Sequence, residues 1–289
     1  MKKITYVLAL GALLFAFFVC YLPPHVRHKA LNRVEKWFIL LNYKPDKLQL
    51  GSPELKKFDM AVVDPDYHLA FPLLSKNIIT IGYVSVGEAE NYRAYWEKIK
   101  KKGWVIKENP DWKGDYYVDI TSDEWQNLIV NEVVKGIVDE GFKGIMMDTV
   151  DMVDALREMD PVKYKNAEAR MVDLVKKIRR RYPGLIIISN NGFSVLERIA
   201  PYLDGMIAED INMMPDFKAG GYKDVPAEDK AYKVGILNKI KNKYGLSVFN
   251  IDYAPKNDKQ AAEKCRIASK KLGYKVYVAE KDLDEIYIN

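Results

Sequence analysis

The chain has 289 residues, 48% of them apolar, which is ample for one large core. An eight-stranded α/β barrel takes about 250 residues. The formal charge is +5, yet Lys2, Lys3, Arg27 and Lys29 precede residue 31, and the remainder holds 41 basic against 40 acidic side chains. A body so close to neutral argues against a nucleic-acid partner. With only Cys20 and Cys265, a disulfide framework and a thiolate zinc site are both excluded.

Residues 1–3 are MKK, and residues 4–22 are apolar throughout. This pattern predicts an export signal long enough to span a bilayer. No small-x-small cleavage site follows; Pro23 and Pro24 come next. Residues 1–24 are therefore expected to be a signal peptide or signal anchor, with the length and the missing cleavage site favouring the anchor. The two lysines put its start inside and the body outside, in an extracytoplasmic location, membrane-anchored or secreted. Residues 25–36 read as a polar connector.

From residue 37 to 289 strands and helices alternate. The expected strands are 37–43, 60–66, 80–88, 144–151, 185–191, 205–210, 247–253 and 275–281. Each is a short apolar run bounded by turn residues, the mark of a strand buried on both faces. Between them, 128–140 and 169–184 carry helical spacing, and the second ends at Pro183-Gly184. Eight strand–helix units predict one (β/α)8 TIM barrel, expected as a monomer. A ninth run, 116–121, is left over and reads as an extra segment after the third strand.

Barrel enzymes carry their chemistry where the strands end. GFKGIMMDTVD, 141–151, places Asp148 at such an end, and DGMIAED, 204–210, places Glu209 at another. These belong to the fourth and sixth strands. Alternate strands share interior layers, so the two carboxylates can face each other, as glycoside hydrolysis requires. Around them the substrate-binding candidates are Asp64, Tyr83, Glu88, Arg93, Asp151, Asn190, Asn191, Asp252 and Tyr253. Carboxylates, amides and aromatic rings in one mouth suit sugar hydroxyls and ring faces. Arg93 and Lys281 are the basic residues expected nearby.

The three histidines cannot assemble a histidine-built metal site, and no lysine ends a strand to support Schiff-base chemistry. No cofactor is expected. Two rival readings use the same residues. One is a non-catalytic carbohydrate-binding barrel. The other is a Mg2+-dependent lyase or isomerase with Asp148, Glu209 and Asp252 as ligands.

The motifs GYVSVGEAENYRAYW (82–96), GFKGIMMDTVD, SNNG (189–192) and DGMIAED, with Trp104 and Trp112, resemble glycoside hydrolase family 114. The likeness spans roughly 37–253. It implies a barrel that cuts secreted, partly deacetylated galactosamine polymers, as endo-α-1,4-polygalactosaminidases do. The family's catalytic Asp falls on Asp148, its Glu on Glu209, and its Asp after the second strand on Asp64. The implied partner is a cationic amino-sugar polysaccharide.

Overall fold

The computed structural model describes residues 30–44, 52–68, 70 and 77–287. The apolar run 4–22 lies outside them. Among the described residues no helix is long and apolar enough to cross a membrane.

Eight parallel strands form the central sheet, in the order β1 (Trp37–Leu40), β2 (Met60–Val63), β3 (Ile79–Ser85), β7 (Gly144–Asp148), β8 (Ile186–Asn190), β9 (Gly205–Glu209), β12 (Ser247–Tyr253) and β13 (Lys275–Ala279). All eight expected strands are present. They are the most buried stretches of the chain because helices cover one face and the barrel interior the other. The seam between β1 and β13 is drawn together by side chains. The Trp37 indole donates to the Lys275 carbonyl at 3.0 Å, and its ring packs 5.3 Å from Phe249 and 5.7 Å from Tyr277. The sheet thus wraps into a (β/α)8 barrel.

Among the described residues, five longer helices lie outside it: α1 (123–139), α2 (Met152–Met159), α3 (Ala167–Arg181), α4 (Ala227–Tyr244) and α5 (Lys259–Leu272). The last two end at Gly245 and Gly273, both left-handed, the usual way to stop a helix. In α1 a π turn at Ile129–Val133 adds one residue to the helical winding.

The expected strand 80–88 is two elements. β3 stops at Ser85, and the chain leaves the barrel to form β4 (Glu88–Glu90). β4 pairs antiparallel with β6 (Asp115–Val118), which pairs with β5 (Val105–Glu108), and after β9 the strands β10 (Met213–Pro215) and β11 (Tyr222–Asp224) pair antiparallel with each other. The unplaced run 116–121 thus supplies most of β6 in a small sheet beside the mouth. The break sits at Gly87, where a Cβ would lie 2.3 Å from the Thr149 carbonyl. Only glycine permits that approach.

Within the segment read as a polar connector, Leu31 and Val34 are buried in the core. The chain enters at the barrel's lower end, where strands begin. Ser247 Oγ donates to Asn32 Oδ1 at 2.6 Å, and Lys275 Nζ donates to the Asn32 and Val34 carbonyls. Leu31 packs over Gly205 so closely that a Cβ there would sit 2.8 Å from it.

Candidate active site

Three neighbouring strands end in the same way. β7 ends at Asp148, β8 at Asn190 and β9 at Glu209. The next residues, Thr149, Asn191 and Asp210, are all left-handed, with φ of 56°, 43° and 57°. For a β-branched residue such as Thr149 this is strained, and strain of this kind persists only where the surroundings fix it. Here the Thr149 hydroxyl shares a 2.8 Å hydrogen bond with Ser85 Oγ, accepts from Gly87 N at 2.8 Å, and contacts the Asp148 carbonyl at 2.7 Å. The turn after Asp148 is thereby locked to the end of β3.

Asn190 stands at the centre. Its Nδ2 donates to Asp148 Oδ1 at 2.9 Å and to Glu209 Oε1 at 2.6 Å. Those two carboxylate oxygens therefore lie within 5.5 Å of each other, the two bonds laid end to end. Tyr253 Oη donates to Glu209 Oε2 at 2.5 Å, and the Glu209 amide donates to Asn191 Oδ1 at 3.0 Å. Burial raises the Glu209 carboxyl above its usual range and the charge of Asp148 raises it further; the bonds from Tyr253 and Asn190 and the Lys233 charge only partly offset this. Burial and the charge of Glu209 push the Tyr253 hydroxyl well up, so it stays a donor.

Lys233 was not foreseen. It reaches from α4 to donate to the Glu209 and Asp210 carbonyls at 3.0 and 3.2 Å, bracing the third strained turn. Nothing in the sequence distinguishes it from the other lysines of that helix. It adds a cation to Arg93 and Lys281, the two expected near the mouth.

The small sheet brings a further acidic tier. Glu88 is 6% exposed and accepts from Asn109 Nδ2 at 3.0 Å. Burial pushes it to about 7 against the pull of that bond, with Asp148 and Asp151 adding to the rise. Asp115 also rises to about 7, through burial and then the charges of Glu90, Glu88 and Asp148. Asp151 is exposed at the rim, at the start of α2.

A raised carboxyl keeps its proton in the folded state. Its contribution is full below the ordinary carboxylate range and fades as pH climbs through about 7. Glu88→Gln should therefore stabilise the protein at pH 8.5, by roughly 3 kcal/mol at most, and change little at pH 4. Thermal melts at the two pH values check this; equal shifts at both would refute it.

Three expected substrate-binding residues have other work. Arg93 is 7% exposed, and four of the five N–H groups of its guanidinium are engaged. Nε donates to Glu90, Nη1 to Asp64 and Asp66, and Nη2 to the other Asp64 oxygen, all at 2.8 Å. The same group stacks 4.7 Å over Tyr92 and 5.8 Å from Tyr83. Asp64 and Arg93 thus form a buried cluster beside the site, and Tyr83 lies under it. Asp252 is wholly buried and accepts from the backbone of Ile211 and Asn212 and the amides of Asn212 and Asn250, holding the loop after Glu209. It does not join Asp148 and Glu209, so the carboxylate trio of the Mg2+ reading is not assembled.

A (β/α)8 barrel whose mouth holds two close carboxylates, one with its pKa raised by burial and by the charge of the other, has the make-up of a glycosidase. The chain belongs to glycoside-hydrolase family GH114, whose family model matches residues 27–289. It is 28% identical over 286 residues to an uncharacterized protein of Deinococcus radiodurans, covering 93% of this chain and 87% of that one. An uncharacterized protein of Thermotoga maritima is 26% identical over 225 residues, 73% of this chain and 68% of its own. Among solved structures, the glycoside hydrolase domain of PelA from Pseudomonas aeruginosa superposes with a TM-score of 0.73 at 21% identity, covering 88% of this chain and all of that one. Ega3 of Aspergillus fumigatus, solved with galactosamine, gives 0.64 at 16% identity, covering 86% and 92%. These two likenesses establish the barrel fold.

Proposed function

We propose that this glycosidase hydrolyses an α-1,4-linked, galactosamine-containing polysaccharide, with Asp148 and Glu209 as its catalytic pair. The observation that carries the reading is the single amide of Asn190 spanning both carboxylates. Nearest oxygens no more than 5.5 Å apart favour the retaining class, whose carboxyl groups stand about 5–5.5 Å apart, over the inverting class at about 6.5–9.5 Å. Asp148 attacks the anomeric carbon while Glu209 gives its proton to the departing glycosidic oxygen. Glu209 then takes a proton from the water that displaces Asp148, and the free sugar leaves. Tyr253 and Asn190 hold Glu209 in place through both steps. Activity should fall as pH rises through the elevated Glu209 pKa, because the first step needs the acid form.

The choice of an amino sugar is supported by Ega3, which binds galactosamine in its solved structure, and by the charge of the mouth. Protonated amines would meet Asp151 at the rim, and their approach would favour the ionised forms of Asp210, Glu88 and Asp115, whose pKa values are raised to about 7. Asp64 is unsuited, since Arg93 occupies it. Binding to the deacetylated polymer should weaken as salt rises, because exposed charges are screened within about 10 Å at 0.1 M. Titration calorimetry with the polymer before and after chemical re-acetylation tests this; equal, salt-independent binding of both would contradict it. We also place the barrel outside the cytoplasmic membrane as a monomer, held by residues 4–22.

A further inference from the structure

The end of the barrel opposite the mouth has no part in the chemistry above, yet it has a distinct character. A crevice of about 570 Å3 opens there between the entry segment, α5 and the last strand. Lys36, Arg266, Lys270 and Lys275 line it, with Glu35 as its one acidic lining residue, and Trp37, Phe58 and Tyr274 provide apolar walls. Arg266 is paired with Glu263, and Lys275 is tied to the entry-segment carbonyls; Lys36 and Lys270 are exposed. Around the crevice, the last turns of three helices add Arg180, Arg181, Lys243 and Lys271 to the same end of the molecule. Cations suit helix C-termini in any barrel. That does not account for Lys36 and Lys275, which lie outside helices, nor for a crevice that gathers four cations. Ile267, an exposed apolar side chain at 48%, sits on α5 one residue from Arg266.

The course of the chain says what this end meets. Ala30 starts the described chain at the lower end, and residues 23–29 alone separate it from the apolar run 4–22. Seven residues reach roughly 25 Å when fully extended. If 4–22 lies in a bilayer, as proposed above, the basic end is held at the bilayer surface and the acidic mouth is turned away.

We propose that the lower end of the barrel is a docking surface for anionic lipid headgroups, with the crevice receiving a lipid phosphate. The surface orients the enzyme so that its mouth faces the polymer beyond the membrane. Lysines and arginines near an anionic bilayer each add a favourable increment, and the two fields cooperate: the basic end is drawn in while the acidic mouth is repelled. The inference rests on residues 4–22 acting as an anchor, and it is independent of which bond the active site cuts.

Hydrogen–deuterium exchange of the full chain in nanodiscs tests it without reference to activity. One set of discs holds phosphatidylcholine alone; the other adds phosphatidylglycerol. Exchange in peptides covering 30–37 and 264–276 should slow about threefold or more in the anionic discs, while peptides at 148–151 and 209–213 stay unchanged. Lys36→Glu, Lys270→Glu and Lys271→Glu combined should erase the difference and leave the melting temperature near that of the parent. Equal exchange in both discs would overturn the proposal. So would protection that survives the triple substitution, or a protein that fails to remain with the discs.

Discussion

Asp148→Asn should abolish hydrolysis, lowering turnover on the order of 10⁴-fold, with the fold and melting temperature kept. The amide has the carboxylate's shape but cannot form the glycosyl bond, and its oxygen can still accept from Asn190 Nδ2. Glu209→Gln should cost about 10²–10⁴-fold, the usual worth of a general acid–base, and most with substrates whose leaving group needs protonation. The two losses differ in kind: an activated aryl glycoside should rescue the cleavage step of the Glu209 variant and not that of the Asp148 variant. Steady-state kinetics on both substrates reads this out. Near-parental turnover by either variant would remove that residue from the mechanism. Loss of the folded state in either would mean that its carboxylate is structural.

Arg93→Met should be the most damaging substitution away from the catalytic pair. The guanidinium neutralises Asp64 and Glu90, both buried, and half-exposed Asp66. Removing it leaves uncompensated buried charge, which costs about 3–5 kcal/mol. For a chain of this size that lowers the melting temperature by roughly 6–15 °C. Arg93→Lys should recover little, because an ammonium cannot present the fork that meets both Asp64 oxygens. Calorimetry decides: a melting temperature within a degree or two of the parent's would refute the buried-cluster account. A fully folded variant with lost sugar binding would return Arg93 to the substrate.

The barrel was legible because each strand is buried on both faces and so reads as a plain apolar run between turns. What was not legible depends on partners far away in sequence. YVSVGE runs on past Ser85 through Val86, and Gly87 is the one local sign of a stop; what fixes the break there is Thr149, more than 60 residues on. Asp148 and Asp252 look alike, each a carboxylate near the end of an apolar strand. One faces the mouth, and the other is captured by Asn212 and Asn250. A clue was available: adjacent strand residues point to opposite faces, so Asp252 and Tyr253 could not both line the mouth. Tyr253 does, through Glu209. Arg93 was misplaced for the opposite reason, since a lone arginine amid acidic residues reads equally as a ligand for substrate or as their counter-charge.

The pair Asp148–Glu209, held close by one amide, is the core of the account, and the stereochemistry of the first product tests it most directly. Proton NMR of a partly deacetylated α-1,4-galactosaminan mixed with the enzyme should show new reducing ends appearing first in the α configuration, then relaxing to the anomeric mixture. The Asp148→Asn protein should produce none. New ends appearing first as β would contradict the short spacing and the covalent step, and an unchanged polymer that nevertheless binds would make this barrel a carbohydrate-binding protein instead.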